Sequence, residues 1–363
     1  MIAKRLANIK PSGVRRIFDL ARKMENPINL SIGEPDFDIP EPLKREGIEW
    51  IQRGFNKYTP TQGIPELREK IRGYLRRKGI EAEEVMVTAG VTGGVLLSCL
   101  ALVDPGDEIV IPDPYFVMYE YVVLLMGGTP VYVDTYPDFA LREEPLRKAI
   151  TDRTKMIVIN SPNNPTGAVY SLEELRMVAD IAREHDLLVL SDDIYEKYLF
   201  ETGHHQGMGQ LYPKTLILGG FSKSWAMTGW RLGFVAGPGE IIQQMTTLQQ
   251  YSFTCAPSFA QKAAIKALDY DVSELIEGYR RKRDLVYEGL REKYAVQKPK
   301  GAFYIFPEAK GGDSWKFVEK AIEHNLFIVP GSVFSRRNTH FRISFAASDE
   351  TLMRGIEILN RIA

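Results

Sequence analysis

This sequence predicts an α/β protein: a mostly parallel central sheet covered by helices, followed by a smaller α+β unit. Two observations carry that prediction. First, apolar runs at Val85–Thr88, Ile109–Ile111, Met156–Asn160, Leu187–Leu190, Thr215–Leu218 and Leu232–Ala236 are interleaved with helical stretches. Strands with no polar face belong in a sheet buried on both sides. Second, the texture changes beyond Gly237, where helices come first and strands follow late in the chain. A chain of 363 residues with 44% hydrophobic residues can supply the core that two such units need.

The elements follow in order. Residues 2–28 read as a helical arm with Val14, Ile17, Phe18 and Ala21 on one side, and 29–37 as a short strand ending in a Gly/Pro turn. A polar loop, 56–63, holds one aromatic, Tyr58, and leads to a helix opened by Pro65 with Leu67, Ile71, Tyr74 and Leu75 at helical spacing. The strand at Val85–Thr88 runs into Gly90–Gly94, read as a tight turn, and then a buried helix over Val95–Val103. Strands at Ile109–Ile111 and Val131–Val133 precede a helix over 144–150 and the strand Met156–Asn160. Ser171 and Glu174 form a capping-box pattern that opens a helix to about Glu184. After the strands at Leu187, Thr215 and Leu232 come helices over 241–248, 259–268 and 272–294. Strands at 302–306, 326–329 and 340–345 and a closing helix over 349–362 complete the chain. The division this implies is an N-terminal arm, 1–39, packed with a small domain, 256–363, and a large domain, 40–255.

Composition excludes several classes. A net charge of −1 offers no field to gather nucleic acid or an anionic membrane. The basic run Arg76-Arg77-Lys78 closes a helix, where cations suit the dipole. Cys99 and Cys255 form neither a disulfide framework nor a metal spacing, so no metal is expected. There is no signal-peptide pattern and no run long enough to span a bilayer, which makes the cytoplasm the expected location. No Gly-x-Gly-x-x-Gly follows a strand, which argues against a nicotinamide dehydrogenase.

In open parallel sheets, ligands bind beyond the carboxyl ends of the strands. Here Thr88 is followed by a glycine turn and a helix start, whose free N–H groups suit an anion. Ile111 is followed by Tyr115-Phe116, Asn160 by Asn163-Asn164-Pro165, Leu190 by Asp192-Asp193-Ile194-Tyr195, and Leu218 by Ser222-Lys223 with Arg231 beyond. A lysine held over a pocket would have a lowered pKa and become nucleophilic near neutrality, and Arg231 is a planar cation suited to phosphate. Taken singly, each feature also fits a turn, a cap, a solvated loop lysine or core packing. Their joint placement on one edge is what points to a site.

These residues resemble the class I/II aminotransferases of the aspartate aminotransferase superfamily, which depend on pyridoxal 5'-phosphate and have fold type I. Gly220-Phe221-Ser222-Lys223 through Arg231-Leu232-Gly233 is similar to the family's cofactor-attachment signature. Gly33–Phe37, Asn164–Gly167, Asp192–Tyr195 and Arg342–Phe345 match other family blocks, so the resemblance runs from about Leu30 to Phe345. It implies that Lys223 forms a Schiff base with the cofactor and, once freed, moves a proton between the substrate Cα and the cofactor. Asp192 would pair with the pyridinium nitrogen, Asn164 and Tyr195 with the phenolate oxygen, and Phe116 would stack on the ring. Val91, Thr92, Ser222 and Arg231 would hold the phosphate, joined by Tyr58 of a neighbouring subunit, which implies a homodimer with shared sites. Arg342 would hold the substrate carboxylate with help from Gly33 and Asn164, and Gly301–Tyr304 would line the substrate side.

The chain departs from the family twice. Gly220 stands where relatives often have serine, removing one hydroxyl contact to the phosphate. Thr92 stands where one aspartate-using branch has lysine, so aspartate specificity by that route is not implied. The activity implied is a ping-pong transaminase between an L-amino acid and a 2-oxo acid such as 2-oxoglutarate, with an aromatic, aspartate or broad donor range. A C–S β-lyase shares this fold and most of these residues, and a non-enzymatic regulatory domain is the third reading.

Overall fold

The computed structural model describes residues 2–7, 9, 13, 26–201 and 205–363. Strand β1 is Ile28–Asn29, followed by helices α1 (Glu41–Gln52) and α2 (Pro65–Arg76). Then come β2 (Glu84–Thr88), α3 (Gly90–Leu102), β3 (Glu108–Asp113), α4 (Met118–Met126), β4 (Thr129–Asp134) and α5 (Glu143–Lys148). Next are β5 (Thr154–Asn160), α6 (Leu172–Glu184), β6 (Leu188–Asp192), β7 (Thr215–Gly220) and β8 (Gly233–Gly237). The remainder comprises α7 (Gly239–Gln250), α8 (Ser258–Ala267), α9 (Ser273–Leu290), β9 (Tyr304–Ile305), α10 (Ser314–Glu323), β10 (Leu326–Phe327), β11 (Val329–Pro330), β12 (Phe341–Ser344) and α11 (Asp349–Ile362).

Seven strands form the central sheet in the order β2-β8-β7-β6-β5-β3-β4. Only β8 runs antiparallel to its neighbours, and the rest are parallel. Successive residues pack into different layers, as a pleat requires. Ile109, Ile111, Met156, Val158, Leu190 and Leu218 face α3, α4 and α7, whereas Val110, Ile157, Ile159 and Val189 face α6. Two-sided burial is why these strands read as unbroken apolar runs. The α6 capping box is formed: Ser171 Oγ accepts from the Glu174 N–H at 3.2 Å, and Glu174 Oε2 accepts from the Ser171 N–H at 2.6 Å.

A three-stranded sheet, β11-β12-β9, and a parallel pair, β1-β10, bring the C-terminal strands against residues 28–33. The Leu30 N–H donates to Phe327 O, and the Ser344 N–H donates to Leu30 O, both at 2.8 Å. Ser31 and Gly33 are thereby held beside β12.

Four sequence readings are corrected. Gly90–Gly94 is the first turn of α3 and not a separate turn. A Cβ on Gly94 would come within 2.7 Å of Leu218 Cδ2 and 2.8 Å of Val235 Cγ2, so the glycine permits a close helix–sheet approach that its turn-like composition disguises. Helices α1 and α4 were not anticipated; α4, MYEYVVLLM, is too uniformly apolar to show a 3.6-residue period. The strand 326–329 divides into β10 and β11, which pair with different partners. Ile28 lies in a strand, which corrects the helical reading at that position. Val14, Ile17, Phe18 and Ala21 lie outside the described residues. Among the described residues, no helix is long and apolar enough to cross a membrane.

Candidate active site

A cavity of about 640 Å³ opens where β5, β6 and β7 end, between the central sheet and the small sheets. Its walls include Gly33, Val91, Thr92, Phe116, Asn164, Asp192, Tyr195, Ser222, Lys223, Arg231 and Arg342. The fold thus brings together all the predicted cofactor- and carboxylate-binding residues but one, and of the block Gly301–Tyr304 only Tyr304 lines the cavity. Tyr58 does not line the cavity; its side chain is 86% exposed at the surface.

Lys223 follows β7 on a short loop that Tyr198 anchors by donating its hydroxyl to the Lys223 carbonyl at 2.9 Å. Its Nζ donates to the Gly33 carbonyl at 2.7 Å. Burial lowers its pKa to about 8, against the opposing pull of Glu34 and with help from Arg342 and Arg231. The amine is therefore a nucleophile near neutrality.

Asp192 ends β6 and is buried. Its Oδ2 accepts from the Tyr119 hydroxyl at 2.6 Å and its Oδ1 from the Ile194 N–H at 3.2 Å. Asn160, at the end of β5, donates its amide to the Asp192 carbonyl at 3.0 Å and accepts the Asn164 N–H at 3.0 Å. Burial raises the Asp192 pKa to about 6, and the two hydrogen bonds oppose that rise. A carboxylate so enclosed is ready for a cationic N–H partner.

Arg342, in β12, is 2% exposed and lies between the rings of Tyr304 and Phe334, each 4.5 Å from the guanidinium carbon. Its Nη1 donates to Asn164 Oδ1 at 3.0 Å and its Nη2 to Ser31 O at 2.7 Å, while Nε is buried without a partner. It pairs with no carboxylate among the described residues. Burial lowers its pKa, as expected for a cation that lacks a counter-ion. A buried guanidinium with a free donor is a receptor for a planar anion.

The opposite end of the cavity is built around the start of α3. Arg231 takes a left-handed backbone, φ 53°, and donates from Nη1 to Thr228 O at 3.0 Å. A Cβ on Gly90 would lie 2.8 Å from Arg231 Nη2, and one on Gly233 would lie 2.7 Å from the Val91 nitrogen. Two glycines thus let a helix N-terminus and a guanidinium meet over one spot, a composition suited to phosphate. At Gly220 a Cβ would meet Ile194 Cδ1 at 2.9 Å and Val91 Cγ2 at 3.1 Å, so the space a serine would need is already filled.

Pyridoxal phosphate fits this donor set: an anion cradle at one end, a buried carboxylate behind, a neutral-tending amine between, and an orphaned guanidinium at the far end for a substrate carboxylate. Phe116 borders the same space, edge-on to Tyr119 at 5.7 Å. Three contributors were missed from sequence. Tyr119 lay in an apolar stretch with no visible period, Glu34 within a Gly/Pro turn, and Ser31 contributes only a backbone carbonyl.

Comparisons with known proteins agree. The family model described as aminotransferase class I and II matches residues 25–359. An aspartate aminotransferase of Pyrococcus abyssi is 41% identical, over 99% of this chain and 98% of that protein. Aromatic-amino-acid aminotransferase 2 of Thermococcus litoralis is 40% identical over 99% of this chain and 98% of its own length. The solved aspartate aminotransferase of Thermus thermophilus with maleate superposes with a TM-score of 0.96 at 38% identity, each chain fully covered. With its cradle, carboxylate, amine and guanidinium assembled on a sheet of this topology, the chain belongs to the class I and II aminotransferases and is a pyridoxal-phosphate-dependent transaminase.

Proposed function

We propose that this transaminase takes aromatic L-amino acids as its favoured donors, within a broad range, and 2-oxoglutarate as acceptor. The observation that carries this is the wall beyond Arg342. The cavity's three cations among the described residues are Lys223, Arg231 and Arg342, and each has a place in the cofactor or carboxylate chemistry. The remaining wall includes Ile32, Phe116, Val117, Met118 and Tyr304, which suit a ring better than a second carboxylate. The relatives named above are two aspartate aminotransferases and one aromatic aminotransferase, consistent with a pocket type that accommodates either.

Each side chain then has a task. Asp192 pairs with the ring nitrogen of the cofactor, and Asn164 and Tyr195 with its phenolate oxygen. Val91, Thr92, Ser222 and Arg231 hold its phosphate, and Phe116 covers its face. Arg342 orients the amino-acid carboxylate, with Asn164 and the Gly33 backbone beside it. When bound, pyridoxal phosphate supplies an electron sink for the charge left at the substrate Cα. Lys223, as a free amine, would carry the proton between the substrate Cα and the cofactor C4′, and its burial keeps water from that proton. Tyr58, exposed on this subunit, reaches the phosphate of a second copy, which makes the working unit a homodimer. The cytoplasm is the proposed location. The working units are an arm of residues 1–39 packed with residues 256–363, and a large unit of 40–255; the pairing of β1 with β10 supports that grouping.

A donor screen tests the substrate reading. With 2-oxoglutarate as acceptor, phenylalanine, tyrosine and tryptophan should give kcat/KM at or above that of aspartate. A preference for aspartate of more than about tenfold, about 1.4 kcal/mol, would overturn it.

A further inference from the structure

We propose that Tyr304 is a positioning residue that couples the two halves of the active site, its hydroxyl serving the cofactor side through Tyr195 and its ring serving the substrate side through Arg342. The inference rests on the functional reading above and adds to it a positioning task for a residue placed so far only in the cavity wall.

Three independent observations converge on this side chain. Tyr304 Oη stands 2.9 Å from Tyr195 Oη, with both residues buried. Its ring lies 4.5 Å from the Arg342 guanidinium carbon, one of the two aromatic faces that replace a counter-ion for that buried cation. Its hydroxyl also sits against Gly33: a Cβ there would come within 2.6 Å of Tyr304 Oη, but 3.6 Å from the ring carbon that bears it. Gly33 is in turn the residue whose carbonyl accepts Lys223 Nζ at 2.7 Å. One phenol therefore touches Tyr195, Arg342 and the segment that holds the lysine.

The direction of the Tyr195–Tyr304 hydrogen bond follows from Tyr195's task. If Tyr195 donates to the cofactor's phenolate oxygen, it must accept from Tyr304. An oxygen that accepts a hydrogen bond becomes a stronger donor through its own proton. Tyr304 thereby strengthens a bond it does not make, and lowers the basicity of the nitrogen that Lys223 contributes. The absence of a side chain at Gly33 keeps the phenol in place.

The two roles separate by substitution. Tyr304→Phe removes one oxygen and keeps the ring, whereas Tyr304→Leu removes both. In the holoenzyme, Tyr304→Phe should raise the pH midpoint of the visible cofactor band by about half a unit, the size expected for one neutral hydrogen bond. It should also weaken pyridoxal phosphate binding, measured on the cofactor-free protein, by about threefold to fivefold. The amino-acid KM should stay within about twofold of the parent because the face under Arg342 remains. Tyr304→Leu should raise that KM by about tenfold. Gly33→Ala should shift the midpoint as Tyr304→Phe does by displacing the phenol, and adding Gly33→Ala to Tyr304→Phe should cause no further shift, since the 2.6 Å conflict is gone. The proposal fails if Tyr304→Phe leaves midpoint and cofactor affinity at parental values, or if it raises KM as much as Tyr304→Leu does. The parent's own colour and turnover report separately on the functional reading.

Discussion

Lys223 Nζ donates to the Gly33 carbonyl at 2.7 Å across a sequence separation of 190 residues. The acceptor is neutral, so the hydrogen bond itself brings no counter-charge, and the pull of Glu34 and Asp192 toward the protonated form is outweighed. Burial then dominates and brings its pKa down to about 8. A lysine in a salt bridge would be a poor nucleophile at neutral pH. This one is stored in a usable form.

The sign of that shift predicts a pH profile. The rate at which the cofactor-free protein captures pyridoxal phosphate follows the neutral fraction of Lys223, so it should rise tenfold per unit and level off above about pH 8. Stopped-flow absorbance would show it. Continued rise toward pH 10 would mean that the lysine is not desolvated in solution.

Asp192 makes a second pH prediction. Its folded pKa is raised to about 6 from 3.8, so its contribution to stability is fully present below the unfolded value and is lost as pH rises through 6. In the cofactor-free protein, Asp192→Asn should therefore gain on the parent by up to about 3 kcal/mol between pH 4 and pH 7. Urea denaturation at the two pH values measures the difference. With cofactor added, the same variant should bind it more weakly and turn over at least about a hundredfold more slowly.

Arg342→Lys tests the carboxylate receptor. Lysine keeps the charge but loses the planar fork and the contacts to both Asn164 and Ser31. We expect kcat/KM for amino acids to fall roughly a hundredfold, mostly through KM, with the visible spectrum of the bound cofactor unchanged. Loss of the cofactor instead would place Arg342 on the phosphate side.

Tyr58 tests the shared site. Tyr58→Ala and Lys223→Ala should each be impaired alone. Refolding them together at equal amounts should restore about a quarter of parental activity, because half the dimers are hybrids with one intact site. No recovery would mean that Tyr58 serves its own subunit or none.

The framework of this site was legible because parallel strands announce themselves twice: once as apolar runs, and again through the chemistry that follows their last residue. Asn160, Asp192 and Gly220 end β5, β6 and β7, and the residues just beyond them supply Asn164, Tyr195 and Lys223. Arg342 and Gly33 were reached only through resemblance, since they arrive by way of contacts remote in sequence: β1 with β10, β12 with β9 and β11, and the Ser344 N–H with Leu30 O. Tyr119 was invisible for another reason. Its helix is apolar but for Glu120, so nothing local distinguishes a hydroxyl aimed at Asp192 from core packing. Gly90–Gly94 was misread because glycine signals turns by composition, while here it signals helix–sheet contact. Backbone contributions, such as the Ser31 carbonyl that accepts Arg342, carry no residue signature at all.

The central claim is that Lys223 is the attachment point. Borohydride reduction of the protein with pyridoxal phosphate, followed by peptide mass mapping, tests it most directly. The account predicts one pyridoxyl adduct per chain, on the peptide that contains Lys223, and none on the Lys223→Ala variant. An adduct on any other lysine, with Lys223 unmodified, would contradict it.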